Sequence, residues 1–404
     1  MSFTQRSQKV QASQTMAITA LVDSLRREGK DILDLGAGEP DFDTPDVIKE
    51  AGIRAIQEGF TKYTPASGTL ELKKAICEKI KTGYGIEYSP HQILVTCGAK
   101  HAVVNVLLAL CEQGDEVIIP APYWTSYPEQ VRFVDATPVI LETDESTDFK
   151  ISPKQLEDAV NPNTKLLILN SPSNPTGSIY SQSELYGLAE VIKKHNFHVL
   201  SDEIYDKIIY DGLNHVSLAA FTELRDRVIL VNGVSKSYAM TGWRIGYMAA
   251  NADLIKAAAK IQSHTTSNPC SISQRASIAA LQADDAIVAR MVRAFDRRRK
   301  YLAEQLTAIP KIKCNLPQGA FYMFPNVSGY FNCKYNGKTI ENSMDFCSFL
   351  LQEAGVAFVP GEAFGSSRNV RISYATSMEN LRETISRLTR ALVQLRNKNR
   401  FSFR

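Results

Sequence analysis

The sequence is poor in the residues that announce a metal centre or a disulfide scaffold. Its seven cysteines, Cys77, Cys97, Cys111, Cys270, Cys314, Cys333 and Cys347, are odd in number and contain no CxxC pair. That pattern fits reduced thiols rather than a disulfide framework or a zinc site. No apolar run approaches the roughly 20 residues a membrane span needs, and the first fourteen residues, polar and rich in Gln and Ser, lack the apolar stretch of a secretory leader. A dominant charge is missing too. With 46 basic against 43 acidic residues the net charge is only +3, which argues against nucleic acid or an anionic membrane as partner. The one basic cluster, Arg297 to Lys300, reads as the solvated face of a long helix. Internal repeats and low-complexity linkers are absent. A cytoplasmic protein without metal is expected.

What is present is a chain of 404 residues, 44% hydrophobic and 22% charged, longer than one ordinary core and ordinary for a soluble protein. Residues 16 to 28 form an amphipathic helix pattern leading into DILDLGAGEPDF, broken at Gly36, Gly38 and Pro40. A helical pattern then runs to about residue 85, interrupted by TKYTPASG at 61 to 68. Between 92 and 250 short apolar strand candidates recur at 92–96, 116–120, 137–142, 165–169, 197–201, 228–232 and 245–250. Continuous apolar strands joined by crossovers indicate a mostly parallel sheet covered on both faces. After 275 the pattern predicts a long helix through about 309, strands near 319–325, 356–364 and 370–375, a helix over 377–395 and a basic tail. The fold expected is α/β. A large domain (44–295) with a seven-stranded, mostly parallel sheet is joined by a smaller α/β domain, built from the N-terminal arm (1–43) and the C-terminal third (296–404).

In parallel sheets ligands bind beyond the carboxyl ends of the strands. The polar and glycine-rich segments CGAK (97–100), APYW (121–124), NSPSNPTG (170–177), SDEIY (201–205) and NGVSK (232–236) all fall there, so they converge on one rim. Lys236 can form a Schiff base with a carbonyl cofactor if its surroundings keep the amine partly neutral, and Arg244 is a fixed cation for a phosphate. Gly98, Ala99 and Lys100 open an apolar helix whose free N–H groups make an anion site, or simply a tight turn. Asp202 follows an apolar strand; it is either a salt-bridged structural carboxylate or the partner of a ring nitrogen that it keeps protonated. Tyr205 and Asn174 can each donate to a phenolic oxygen on such a ring, and Trp124 can stack on it. Each is equally explicable as turn or core.

Taken together, Lys236 in G-x-S-K with Arg244, Asn174 to Gly177 (NPTG), Ser201 to Tyr205 and Val370 to Tyr374 (VRISY) resemble the pyridoxal-phosphate-dependent aminotransferases of fold type I, class I. Within that class the resemblance is to the bacterial aspartate aminotransferase and aspartate/prephenate aminotransferase branch, from about Thr15 to Leu392. The resemblance implies pyridoxal 5′-phosphate bound covalently to Lys236, which also shuttles the substrate proton. It implies that Asp202 pairs with the ring nitrogen, Asn174 and Tyr205 with the ring oxygen, and that Trp124 stacks. Arg244, Ser235 and the segment Gly98, Ala99 and Lys100 would hold the phosphate. Tyr63 would reach the phosphate of a neighbouring subunit, so an obligate homodimer with shared sites is expected. Gly38 and Arg371 would take the substrate α-carboxylate, with Trp124 and Asn174 lining the substrate.

Two departures qualify the resemblance. Gly233 stands where many relatives have a phosphate-binding serine, and the segment QSHTTSNP offers Ser263 but no arginine for a side-chain carboxylate. Lys100 is the substitute cation the resemblance suggests, with help from Ser13 and Thr15. The function implied is transfer of an amino group from aspartate to 2-oxoglutarate by a ping-pong route, with prephenate as a further acceptor. Competing readings are a carbon-sulfur β-lyase, an aromatic or neutral amino-acid aminotransferase, and a non-catalytic cofactor-binding regulator; for the last, the stretch before Thr15 is too short for a DNA-binding domain.

Overall fold

The computed structural model describes residues 3–400. In chain order its strands are β1 (Leu33–Asp34), β2 (Ile93–Thr96), β3 (Glu116–Ala121), β4 (Thr137–Glu142), β5 (Thr164–Asn170), β6 (His198–Asp202), β7 (Val228–Gly233), β8 (Gly246–Ala249), β9 (Tyr322–Met323), β10 (Lys334–Tyr335), β11 (Lys338–Thr339), β12 (Val356–Ala357), β13 (Val359–Pro360) and β14 (Val370–Ser373). The α-helices are α1 (Gln5–Lys9), α2 (Gln14–Arg27), α3 (Asp46–Gln57), α4 (Leu70–Tyr84), α5 (Ala99–Leu110), α6 (Ser126–Phe133), α7 (Pro153–Ala159), α8 (Gln182–Lys194), α9 (Ala252–Thr265), α10 (Ser271–Gln282), α11 (Ala286–Ala308), α12 (Ser343–Ala354) and α13 (Met378–Arg400).

Strands β2 to β8 form the expected seven-stranded sheet in the order β2-β8-β7-β6-β5-β3-β4. All pairings are parallel except those of β8, which runs antiparallel to both β2 and β7. The strands are apolar throughout because both faces are covered. Leu94, Ile168, Leu200 and Val231 face Val103, Val106 and Ile255 of α5 and α9. Their neighbours Ile93, Leu167, Val199 and Leu230 face Ile76, Leu188 and Ala280 of α4, α8 and α10. The period of two along each strand is thus spent on two cores.

A third cluster joins Phe295 and Leu302 of α11, Phe346 and Leu350 of α12 and Leu381 and Leu388 of α13. Beside it lies the antiparallel sheet β13-β14-β9, while β1 pairs in parallel with β12. This last pairing ties the segment between α2 and α3 to the C-terminal third.

Two expectations are corrected. The helix expected from 275 to about 309 is two helices, because Ala283 to Asp285 break the run and Asp284 accepts the Ala286 N–H at 2.7 Å to start α11. The basic run is a solvated face only at Arg297 and Lys300. Arg299 is fully buried on the core side of α11, paired with Asp211 and Asp296 and donating to the Pro317 carbonyl at 2.7 Å; Arg298 forks onto Asp41 at 2.7 and 2.8 Å. Among the described residues no helix is long and apolar enough to cross a membrane, and no cluster of metal-ligating side chains occurs.

Candidate active site

A cleft of about 590 Å³ opens where β5, β6 and β7 end. Strand register sets Asn170 beside Asp202 and Asp202 beside Val231, so the polar residues that close these strands are brought into one line. The segment after β1 and the arginine of β14 form the opposite wall.

Lys236 lies half-buried in this cleft, its Nζ donating to the Gly38 carbonyl at 2.5 Å. Burial pushes the amine down to about 8; the Glu39 carboxylate opposes the shift, and Arg371 and Arg244 reinforce it. An amine in that range is neutral often enough near neutral pH to act as nucleophile or base.

Asp202 is only 3% exposed. It accepts the Tyr127 hydroxyl at 2.6 Å and the Ile204 N–H at 3.2 Å. Burial raises its carboxyl to about 6, against the lowering effect of these two donors. Both donors are neutral, so the carboxylate still has charge to offer a cation. Behind it, Asn170 donates to the Asp202 carbonyl at 2.9 Å and accepts the Asn174 N–H at 2.8 Å. The Asn174–Pro175 bond is cis, and the Asn174 side chain accepts Arg371 Nη1 at 3.0 Å. Tyr205 shares a hydrogen bond of 2.9 Å with Tyr322, hydroxyl to hydroxyl.

At the other end Gly98 caps the N-terminus of α5 with φ of 85°. A side chain there would put its Cβ 2.2 Å from Nη2 of Arg244, so glycine is what lets the guanidinium settle over the free amides of the first helical turn. Arg244 is held by the Thr241 carbonyl at 2.8 Å. Gly246 makes the same approach from below, since a Cβ would lie 2.3 Å from the Ala99 nitrogen. Gly233 pairs with Gly246 across β7 and β8, and a Cβ at 233 would meet the Ile245 carbonyl oxygen at 2.9 Å and the Gly246 Cα at 3.0 Å. The glycine is therefore part of close strand packing, and a serine would have no room without a shift. Ser235 is buried on the cleft wall.

Arg371, 3% exposed, donates to the Gly36 carbonyl at 2.6 Å through Nη2 and lies over the Tyr322 and Phe364 rings at 4.5 and 4.9 Å. Its Nε is buried without a partner. A buried guanidinium nitrogen left unpaired is costly unless an anion completes it. Lys100 Nζ stands 4.9 Å from the centre of the Trp124 ring, its pKa lowered by burial and then by Arg244.

Of the residues singled out in the sequence, Thr15, Gly38, Ala99, Lys100, Trp124, Asn174, Asp202, Tyr205, Ser235, Lys236, Arg244 and Arg371 line this one cleft. Gly98 sits immediately behind it. Ser13 does not line it; its hydroxyl bonds Thr15 at 2.9 Å and caps α2. Ser263 turns back to the Lys260 carbonyl at 2.7 Å within its own helix. Tyr63, 92% exposed, stands away from its own chain's cleft. The sequence reasoning missed Tyr127, Asn170 and Tyr322. Tyr127 follows Trp124 by one helical turn and Asn170 ends a strand beside Asp202, which are usable signals; Tyr322 in GAFYMF has none.

The polarity of the cleft suits a flat phosphorylated ring: cations at both ends, a buried carboxylate beneath and an amine beside it. The sequence profile described as aminotransferase class I and II matches residues 30–388. A bifunctional aspartate aminotransferase and glutamate/aspartate-prephenate aminotransferase from Petunia hybrida is 48% identical over 98% of this chain and 84% of its own. An aspartate/prephenate aminotransferase from Nitrosomonas europaea is 46% identical over 97% of this chain and 100% of its own. The crystal structure of the aspartate aminotransferase from Rhizobium meliloti superposes with a TM-score of 0.94 at 44% identity, covering 97% of this chain and 98% of that one.

Proposed function

The chain belongs to the aminotransferase class I and II family, and from that premise we propose that its cleft holds pyridoxal 5′-phosphate and exchanges amino groups between acidic amino acids and 2-oxo acids. Aspartate with 2-oxoglutarate is the preferred pair, and prephenate is a further amino acceptor. The reading rests on Arg371, whose buried and unpartnered Nε lies in the same cleft as Lys236 and Asp202. A substrate carboxylate satisfies that nitrogen.

When bound, the cofactor supplies an electron sink for the pair released as the amino acid's Cα loses its proton. Asp202 holds the proton on the ring nitrogen, for which its neutral donors and raised pKa suit it. Tyr205, steadied by Tyr322, and Asn174 orient the ring oxygen. Arg244 and the α5 amides grip the phosphate, and Trp124 covers the ring. Arg371 fixes the α-carboxylate with a fork that lysine lacks. Lys236, which would hold the cofactor covalently until an amino acid displaces it, would then accept the proton from the substrate Cα as general base, its amine lowered to about 8 by burial. Lys100 meets the distal carboxylate of a dicarboxylic substrate, and Thr15 lies near it on the cleft wall.

Two copies complete each other in this reading. Val47, Ile53, Ile56, Tyr63 and Leu70 leave apolar surface exposed around α3 and the loop that follows it, and Tyr63 serves the phosphate of the second copy. The free cysteines suit the cytoplasm.

The test is a single-turnover half-reaction with a panel of amino donors, followed by absorbance of the bound cofactor. Aspartate and glutamate react fastest. Faster conversion of alanine or phenylalanine overturns the substrate assignment, and pyruvate with ammonia from cystathionine, without an oxo acid, overturns the reaction.

A further inference from the structure

Tyr63 projects from a loop, residues 60–69, whose base is held by two glutamines that are wholly buried. Gln274 of α10 donates through Nε2 to Thr64 Oγ1 at 3.0 Å and to the Pro269 carbonyl at 2.8 Å, and its Oε1 accepts the Thr69 N–H at 2.9 Å. Gln262 of α9 donates through Nε2 to the Ala66 carbonyl at 2.7 Å and to the Val95 carbonyl at 2.8 Å, and accepts Asn105 Nδ2 at 2.9 Å. Both side chains are 0% exposed.

The loop is also seated on β2. The Val95 N–H donates to the Ser67 carbonyl at 3.1 Å, and a Cβ on Gly68 would lie 2.4 Å from Val95 Cγ2. Two residues beyond Val95 the chain enters Cys97 and Gly98, the start of the anion cradle. Burying a primary amide is unfavourable unless its donors and acceptor are used. Here each amide uses both functions, and between them the two glutamines hold Thr64, Ala66 and Thr69, the stretch that immediately follows Tyr63. Apolar residues would fill the same volume but would leave the Ala66 and Val95 carbonyls and the Thr69 N–H without partners.

We propose that Gln262 and Gln274 are positioning residues that fix the 60–69 loop in the shape by which Tyr63 completes the cofactor site of a second copy of this chain. The inference rests on the reading above that the two copies share their sites. Losing one glutamine therefore weakens cofactor binding in trans. Its own cleft is affected less, because no residue of the loop lines that cleft.

Heterodimers separate the two ideas. One subunit carries Lys236→Ala, which removes its covalent site, together with Gln274→Leu; the other is unchanged. Pyridoxal phosphate affinity of the unchanged subunit, read by absorbance during dilution, falls roughly tenfold to a hundredfold, the equivalent of one or two buried hydrogen bonds. A heterodimer with Tyr63→Phe in place of Gln274→Leu falls in the same direction. Moving Gln274→Leu onto the subunit with the intact lysine leaves affinity within about twofold, on the same scale of tenfold per 1.4 kcal/mol. In the cofactor-free homodimer, Gln274→Leu also speeds hydrogen exchange across the loop and at Val95. If the glutamine variant acts only in cis while Tyr63→Phe acts in trans, the positioning role is wrong and the shared site stands. If Tyr63→Phe has no effect in trans, the shared site itself fails. Should Gln274→Leu not assemble, Thr64→Val removes the same bond from the loop side and must weaken binding in trans.

Discussion

The Tyr127 hydroxyl donates to Asp202 Oδ2 at 2.6 Å, and it does so from the first turn of α6, 75 residues away in sequence. The bond leaves Asp202 oriented but still anionic in demand, since a phenol neutralises none of its charge. The carboxyl accordingly sits near 6, raised mainly by burial. With a folded pKa above the ordinary value, the native state binds the extra proton between about 4 and 6, so stability falls as pH rises through that window. Asp202→Asn removes this slope. In the cofactor-free protein the variant is expected to match the parent at pH 4 and to be more stable at pH 7.5 by about 1 to 3 kcal/mol, from roughly two pKa units at 1.36 kcal/mol each. Denaturant titrations at the two pH values check it; a variant less stable at pH 7.5 contradicts the account. The same variant should bind pyridoxal phosphate and turn over poorly.

In the proposed reading, Lys100 discriminates among substrates. Replacing it with methionine keeps the packing on Trp124 and removes the charge. The second half of a buried or partly buried ion pair is then left alone, an effect of about 2 to 5 kcal/mol. For aspartate that is roughly 30-fold to several thousand-fold in kcat/KM. Phenylalanine, with no distal carboxylate, should change little. Equal losses for both amino acids would remove Lys100 from the specificity role.

Arg371→Lys has the opposite signature. Every amino acid carries an α-carboxylate, so aspartate and phenylalanine should lose kcat/KM together, by about 2 to 3 kcal/mol, the worth of a hydrogen bond to a charged group with its alignment. Steady-state kinetics on both substrates settle the comparison. A loss confined to aspartate would mean that Arg371 and Lys100 have been assigned in reverse.

Gly98→Ala tests the anion cradle without touching a side chain. The backbone there has φ of 85° and ψ of 162°, a region open essentially to glycine at a cost of about 1 to 3 kcal/mol for other residues. The added methyl also displaces the Arg244 guanidinium. The variant should unfold at lower temperature and lose pyridoxal phosphate at least about tenfold more readily, a change of 1.4 kcal/mol. Inorganic phosphate should raise the melting temperature of the cofactor-free parent and leave that of the variant where it is.

Much of this was legible in the chain because strands buried on both faces write themselves as unbroken apolar runs, and each run is followed at once by its polar terminus. Asp202, Asn174 and Lys236 could be singled out for that reason. Tyr127 could not. Its importance lies in a contact 75 residues away in sequence, and a tyrosine in YPEQV looks like any helix residue. Tyr322 is further still from its partner, 117 residues from Tyr205. Gly233 misled in a different way. Compared motif by motif it was a lost hydroxyl, whereas in three dimensions it is one half of a glycine pair that lets β7 and β8 close on α5. The run from Arg297 to Lys300 shows how a helix can hide a buried ion pair in what reads as a surface patch: Arg299 turns inward with Phe295 and Leu302, Arg298 is mostly covered by its pairing with Asp41, and only Arg297 and Lys300 face out.

The wall that Gly36 and Arg371 share has a history as well as a geometry. The two residues lie 335 positions apart, and β1 beside them pairs with β12, among the described strands the one it forms a ladder with. A ribosome adding roughly 5 to 20 residues each second therefore delivers the last strand of the large sheet before the front wall of the cleft, which follows on the order of 6 to 25 s later. During translation the nascent N-terminal arm waits with an unpaired strand edge, the kind of surface that holdase chaperones cover. If the cleft holds pyridoxal phosphate as proposed, Arg371 reaches it only after the last β-strand has emerged.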